Sequence, residues 1–270
     1  MTAQNLDNKA LRLFVLLGGF FVANALLAEL IGVKIFSLEQ SLGLPPADFQ
    51  LLGIDHLAFN LTTGVLLWPV VFVMTDIINE YYGKRGVKFL SYLTVALVLY
   101  AFAMVYAAIE LVPADFWPRS HISADLPAAE QASMAAEVGN LNSAFRLIFG
   151  QGLWIIAGSL VAFLIGQIVD VTVFHRVKQL TGERMIWLRA TGSTLVSQFI
   201  DSFVVLFIAF YVGAGWDLSL VIAIGLVNYT YKLVVAIAMT PLLYLAHGVI
   251  DRYLGEPLAS KMKDDALADD

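Results

Sequence analysis

Six apolar stretches, each long enough to cross a lipid bilayer, constrain this chain more than any other feature. They cover approximately residues 11–36, 57–80, 89–111, 145–174, 190–212 and 218–247. A spanning helix needs about 20 mostly apolar residues. In lipid the backbone must satisfy its own hydrogen bonds, and a helix does so within one segment. The expected fold class is therefore all-α integral membrane, with six transmembrane helices in a single membrane domain over 1–270. Composition agrees. Hydrophobic residues make up 59% of the chain and charged residues 14%, against about a quarter charged in an average soluble domain. Residues 1–10 are polar, and the apolar run after them is too long for a signal-peptide core, so it reads as a retained first helix.

The gaps carry turn residues. Ser41-Leu42-Gly43-Leu44-Pro45-Pro46 separates the first stretch from the second, and Tyr82-Gly83-Lys84-Arg85-Gly86 ends the second. The outer loop 112–142 is long and holds Pro113, Pro118 and Pro127. Its middle, 128–138, has the period of a short amphipathic helix, read as a solvated loop helix, with a lid as the sharper alternative. Pro69 and Pro241 predict kinks in the second and sixth helices. Basic residues fall on one side. Lys9, Arg12, Lys84, Arg85, Lys88, Arg176, Lys178, Arg184, Arg189, Arg252, Lys261 and Lys263 share it, while the opposite loops hold Arg119 alone. The positive-inside rule then places both termini in the cytoplasm.

Several function classes drop out. The net charge is −6 and there is no Lys/Arg-rich tract, so nucleic acid is not an expected partner. With no cysteine, disulfides, thiol nucleophiles and thiolate metal sites are excluded. The sequence has no His-Glu-x-x-His, no Gly-x-Ser-x-Gly and no Gly-x-x-x-x-Gly-Lys-Ser/Thr phosphate loop. No cofactor or metal set is expected. The partners are a small molecule and the bilayer, with homo-oligomerisation left open.

The informative residues are polar ones inside the apolar stretches. A charge at a helix centre costs about 2.5–3.5 kcal/mol on insertion scales, and such residues face a cavity or pair with each other. By position, Asn24, Asp201 and Lys232 fall near the midplane, Asp76, Asn79 and Asp170 two to three turns inward with Glu80 beyond them, and Glu29 and Lys34 outward. Asp76 and Glu80 are four apart and share a helix face, as do Asn228 and Lys232. Gly166-Gln167-Ile168-Val169-Asp170 and Ser197-Gln198-Phe199-Ile200-Asp201 repeat one pattern of small-Gln-apolar-apolar-Asp. On antiparallel helices the two Gln/Asp pairs would face one shared cavity. A carboxylate accepts two donors and Gln offers both kinds of group, which suits a flat heterocycle with adjacent donors. Plainer readings stand beside these. Asp201 and Lys232 also suit a structural ion pair, Asp76 and Glu80 a helix end, Lys34 an interfacial snorkel, and His175 and His247 interfacial positions.

Four blocks taken together resemble a known family. They are Thr75-Asp76-Ile77-Ile78-Asn79-Glu80-Tyr81-Tyr82-Gly83-Lys84; Gly166 to Val171 leading to Phe174-His175-Arg176; Ser193 to Ser202; and Tyr229 to Lys232 followed by Thr240-Pro241 and Tyr244. In this order they are similar to the queuosine precursor transporters, also grouped as vitamin uptake transporters, over residues 20–253. The resemblance implies a multi-pass protein of the bacterial inner membrane, not an enzyme, that imports cyano- or aminomethyl-deazaguanine bases. Carried over by position, the substrate-binding candidates are Asn24, Asp76, Asn79, Glu80, Gln167, Asp170, Gln198, Asp201, Asn228 and Lys232. One departure is Trp154, where the family often carries an Arg; Arg146 lies two turns earlier. An aromatic ring is expected to stack on the base.

Two other classes remain. A substrate-binding subunit of an energy-coupled vitamin importer would also have six helices, but its Ala-x-x-x-Ala docking motif is absent from 11–36. A membrane-embedded carboxylate enzyme would use Asp76 with Asp170 or Asp201, at depths that do not match well.

Overall fold

The computed structural model describes residues 3–150, 152–181 and 185–268; Arg184 lies outside them. The order is α1 (Ala3–Ile31), β1 (Ile35–Ser37), α2 (Leu38–Ser41), β2 (Phe49–Leu51), β3 (Ile54–Leu57), β4 (Asn60–Thr62), α3 (Trp68–Glu110), α4 (Ala128–Glu137), α5 (Leu141–Phe149), α6 (Leu153–Thr181), α7 (Ile186–Leu206), α8 (Leu218–Leu254) and α9 (Glu256–Ala268). Among the described residues five helical stretches are long and apolar enough to cross a membrane. They contain α1, α3, α6, α7 and α8. The protein is an all-α membrane protein with multiple spans.

Helix α3 is two helices in one. At 43 residues a straight helix would reach about 65 Å, twice the roughly 30 Å hydrocarbon core. It breaks at Gly83, whose backbone sits at φ 63°, ψ −170°. Thr75 and Ser91 lie on either side of that break. Both donate to the same Gln167 Oε1, at 3.1 and 3.4 Å, so the two arms fold back on each other. Gly83 is needed twice over. Its φ is one that side chains resist, and a Cβ there would lie 2.9 Å from the Ala266 carbonyl of α9.

Several helix ends differ from the apolar pattern. Residues 57–66, expected as helix, form β3, β4 and a 3₁₀ turn over Thr63–Leu66. Helix α3 starts at Trp68, so Pro69 sits in its first turn, where a missing N–H costs nothing, and does not kink it. Helix α1 stops at Ile31, and Ile35–Ser37 pairs antiparallel with Asn60–Thr62. Apolar content alone does not distinguish a short strand from the start of a span. Helix α7 loosens into a π-helical turn over Phe207–Val212. Pro241 does lie inside α8.

Helices α6 and α7 pack closely because one face of α6 is small. Gly158, Ala162 and Gly166 recur every four residues, the spacing that lets membrane helices approach. Ala162 is fully buried, and a Cβ at Gly158 would stand 3.1 Å from the Val205 carbonyl. A core of Leu13, Ile77, Tyr81, Phe174, Leu243 and Leu258 joins α1, α3, α6, α8 and α9.

The chain forms two compact units, 98–152 and the remainder. Within 98–152, Trp117, Phe145 and Phe149 cluster, and Arg146 stands 3.9 Å from Glu110. The amphipathic helix expected at 128–138 is α4.

Candidate functional site

The polar residues of α3, α6, α7 and α8 meet in three sets. The first is a buried ion cluster. Arg189 donates to Glu80 Oε1 at 2.7 Å, and Lys178 Nζ lies 3.4 Å from Oε2. All three are at most 1% exposed. Lys178 and Arg189 belong to the basic residues assigned above to an inside loop. Both are instead interior members of α6 and α7, drawn in by Glu80. His175 and His247 are likewise buried inside the helix bundle. His175 donates from Nε2 to Asn79 Oδ1 at 2.7 Å, and His247 Nδ1 is 3.2 Å from the Tyr81 hydroxyl.

The second set lies one turn along α3. Asp76 receives Ser193 on Oδ1 at 3.4 Å and Thr194 on Oδ2 at 3.1 Å. Asp170 receives Ser197 on Oδ1 at 3.1 Å. Its Oδ2 has no hydrogen-bond partner among the described residues. Both carboxylates are buried, and they lie within electrostatic reach of each other.

The third set is a narrow cavity among α3, α7 and α8. It is lined by Asp76, Gln198 and Lys232, by Thr191, Thr194 and Thr240, and by apolar side chains including Val73, Met239 and Leu243. Lys232 Nζ is held by Asp201 Oδ2 at 2.5 Å, so the ion pair exists and also borders the cavity. Gln198 is buried, and its Nε2 lacks a partner among the described residues. The space is about 20 Å³, about one water molecule, so α7 and α8 must part to admit anything larger.

The candidates therefore do not converge on one point. Asp76, Gln198 and Lys232 line the cavity, with Asp201 behind Lys232. Asp170 faces the hydroxyls of α7. Asn79 and Glu80 belong to the buried cluster beside Arg189. Gln167 is turned the other way, toward Thr75 and Ser91, so the two Gln/Asp pairs do not share one cavity. Asn24 bonds the Phe20 carbonyl of its own helix at 2.8 Å, and Asn228 is half-buried away from the lining. No aromatic side chain lines the cavity among the described residues; Val73, Met239 and Leu243 offer flat apolar contact instead. Trp154, at the departure noted above, packs near Gly213, outside the cavity. Hydroxyl residues were missed altogether. Ser193, Thr194 and Ser197 are buried and supply all the donors to the second set. Their i, i+1, i+4 spacing, four residues before Asp201, was the signal available.

Charged and amide side chains lining a cavity between apolar helices are the arrangement that marks substrate pathways in membrane transporters. The comparisons agree. Residues 62–246 match the family model described as "Putative vitamin uptake transporter", and the chain belongs to that family. It is 27% identical to the "Probable queuosine precursor transporter" of Bacillus subtilis (strain 168), covering 73% of this chain and 76% of that protein. It is 26% identical to the "Queuosine precursor transporter" of Escherichia coli (strain K12), covering 80% and 84%. The "Probable queuosine precursor transporter" of Haemophilus influenzae matches at 26% identity over 73% and 71%. No solved structure matches at a significant level. The chain is thus a transporter, not an enzyme.

Proposed function

We propose that this transporter spans the bacterial inner membrane six times, with both termini in the cytoplasm, and imports 7-deazaguanine precursors of queuosine. The fold-back of α3 at Gly83 supports six spans, since each arm carries apolar sequence. Basic residues such as Lys84, Arg85 and Lys88 at that turn support the orientation. The observation that carries the substrate reading is the set of groups on the cavity wall. Asp76 offers carboxylate oxygens, Gln198 an unengaged N–H donor, and Lys232 a cation balanced by Asp201. A deazaguanine has side-by-side N–H and NH2 donors that one carboxylate accepts as a pair. Its carbonyl oxygen accepts from Gln198 or Lys232. Asp201 is then the natural partner for an aminomethyl cation. Asp76, Gln198, Asp201 and Lys232 are the proposed contacts, while Asn79, Glu80, Gln167 and Asp170 shape the wall from behind, and Asn24 and Asn228 are more distant.

The test uses a bacterial strain that cannot make the precursor and lacks its own importer. Expressing this chain and supplying the base should restore queuosine-modified tRNA. Failure to do so, with the protein present in the membrane fraction, would sink the reading.

A further inference from the structure

The shortage of hydrogens around Asp76 and Asp170 has a functional meaning. Four carboxylate oxygens face three hydroxyl donors. Ser193 serves Asp76 Oδ1, Thr194 serves Asp76 Oδ2 and Ser197 serves Asp170 Oδ1. Even these hydrogens are contested, because Ser193 and Ser197 also lie within 3.1 Å of the Ala190 and Thr194 carbonyls. The oxygen left over is Asp170 Oδ2, in a residue with no exposed surface. A fully buried acceptor without a donor is costly, and two like charges this close disfavour joint ionisation.

The surrounding charges do not supply the missing partner. On the inner side, Glu80 already engages Arg189 and Lys178. Toward the cavity, Lys232 is engaged by Asp201. His175 donates to Asn79. Further along, Asp251 pairs with Lys263 near His247. Taken together, Glu80, Arg189, Lys178, Asp76 and Asp170 are two cations against three carboxylates. One added proton makes the set neutral, and placed on Asp170 Oδ2 it supplies a hydrogen to the one oxygen of the carboxyl pair that lacks one.

We propose that Asp76 and Asp170 form a proton-binding site, with one proton held chiefly on Asp170, and that this proton crosses the membrane with each base. The link is Asp76, which belongs to the carboxyl pair and also lines the cavity. A base with paired N–H donors needs Asp76 ionised. Asp76 is readily ionised only while Asp170 carries the proton. The proton on Asp170 therefore readies the site for a base, and its loss recharges the pair and weakens the hold on that base, so the two cross together as symport. The proton's passage with a base presupposes the transport reading above; the proton site itself does not.

The full chain, reconstituted in lipid, tests both parts separately. Infrared spectroscopy at neutral pH, with no base present, should show the carbonyl stretch of a buried protonated carboxylic acid. Asp170→Asn should remove that band, and Ser197→Ala, which takes away one donor, should shift it if the first variant does not fold. Absence of the band in the wild type, or its persistence unchanged in both variants, overturns the proton site. In vesicles with the membrane potential clamped, labelled cyano-deazaguanine should accumulate about tenfold for each pH unit of inward acid gradient, as one proton per base requires. Base that equilibrates without accumulating, or that follows a sodium gradient instead, overturns symport and leaves the substrate reading intact. The infrared band without any movement of base would uphold the proton site and count against the substrate reading.

Discussion

Asp76 and Glu80 stand one turn apart on the same arm of α3, equally buried, and meet opposite surroundings. Glu80 has a guanidinium and an ammonium within 3.4 Å. Asp76 has two hydroxyls and a second carboxylate nearby. Removing a charge from water costs several kcal/mol, and full pairing is needed to offset it. Glu80 has two cations against its one charge, whereas both oxygens of Asp76 receive only neutral hydroxyls. Glu80 ties α3 to α6 and α7, whereas Asp76 keeps acceptor capacity for something that arrives from the cavity. A paired interior charge reads as architecture, and an under-paired one beside a cavity reads as function.

The largest expected effect tests the architectural half. Arg189→Ala would leave Glu80 facing Lys178 alone, and breaking a buried pair costs about 3–5 kcal/mol. The thermal midpoint in detergent should fall sharply, with little folded protein recovered. An unchanged midpoint would show that Glu80 is not the tie described.

The functional half predicts the reverse. Asp76→Asn removes a charge that no cation balances and keeps the side-chain shape, so stability should change less than in Arg189→Ala. Uptake of the base should be lost, because the amide sets an NH2 donor where the second acceptor oxygen stood and cannot take two side-by-side donors. A variant that unfolds would place Asp76 with Glu80 as architecture. Gln198→Ala comes next in size. It deletes the unengaged donor on the cavity wall, and losing one neutral hydrogen bond of about 1–1.5 kcal/mol should weaken apparent affinity roughly tenfold while leaving the midpoint unchanged. Unaltered uptake would move the contact to Lys232.

The same contrast shows what was legible in the chain. Apolar runs, the break at Gly83 and the placing of Asp76, Asp170, Asp201 and Lys232 within long apolar helices follow from composition and helical spacing. Which carboxylate meets which partner does not. Helix rotation decides that, and rotation is set by the small face Gly158-Ala162-Gly166 of α6 and by the fold-back at Gly83. A turn of α6 sends Gln167 toward Thr75 and Ser91 and Asp170 toward Ser197, so residues three apart serve different surroundings. Lys178 and Arg189 look like loop charges because they lie at the ends of apolar runs, and only their packing against Glu80 makes them interior. Residues 57–66 were unreadable for another reason: their apolar content suits a strand as well as a span, and the pairing partner Ile35–Ser37 is distant in sequence.

A third carboxylate completes the series with the smallest effect. Glu39, between β1 and the loop before β2, is buried. Burial raises its carboxyl, but the Phe59 and Ala47 N–H groups, its own N–H and the Ser37 hydroxyl outweigh that and hold it below the ordinary range. A carboxylate with a lowered folded value contributes stability above its unfolded value of about 4.3, and that contribution disappears as pH falls through the lowered value. Hydrogen exchange at the Phe59 and Ala47 amides should therefore be slow at neutral pH, after correction for intrinsic rates, and should lose protection in acid. Glu39→Gln should show reduced protection at neutral pH and no further loss on acidification. A wild type with protection independent of pH would mean that the loop is held by strand pairing alone, and Glu39 would no longer belong with Glu80 among the carboxylates that tie the fold.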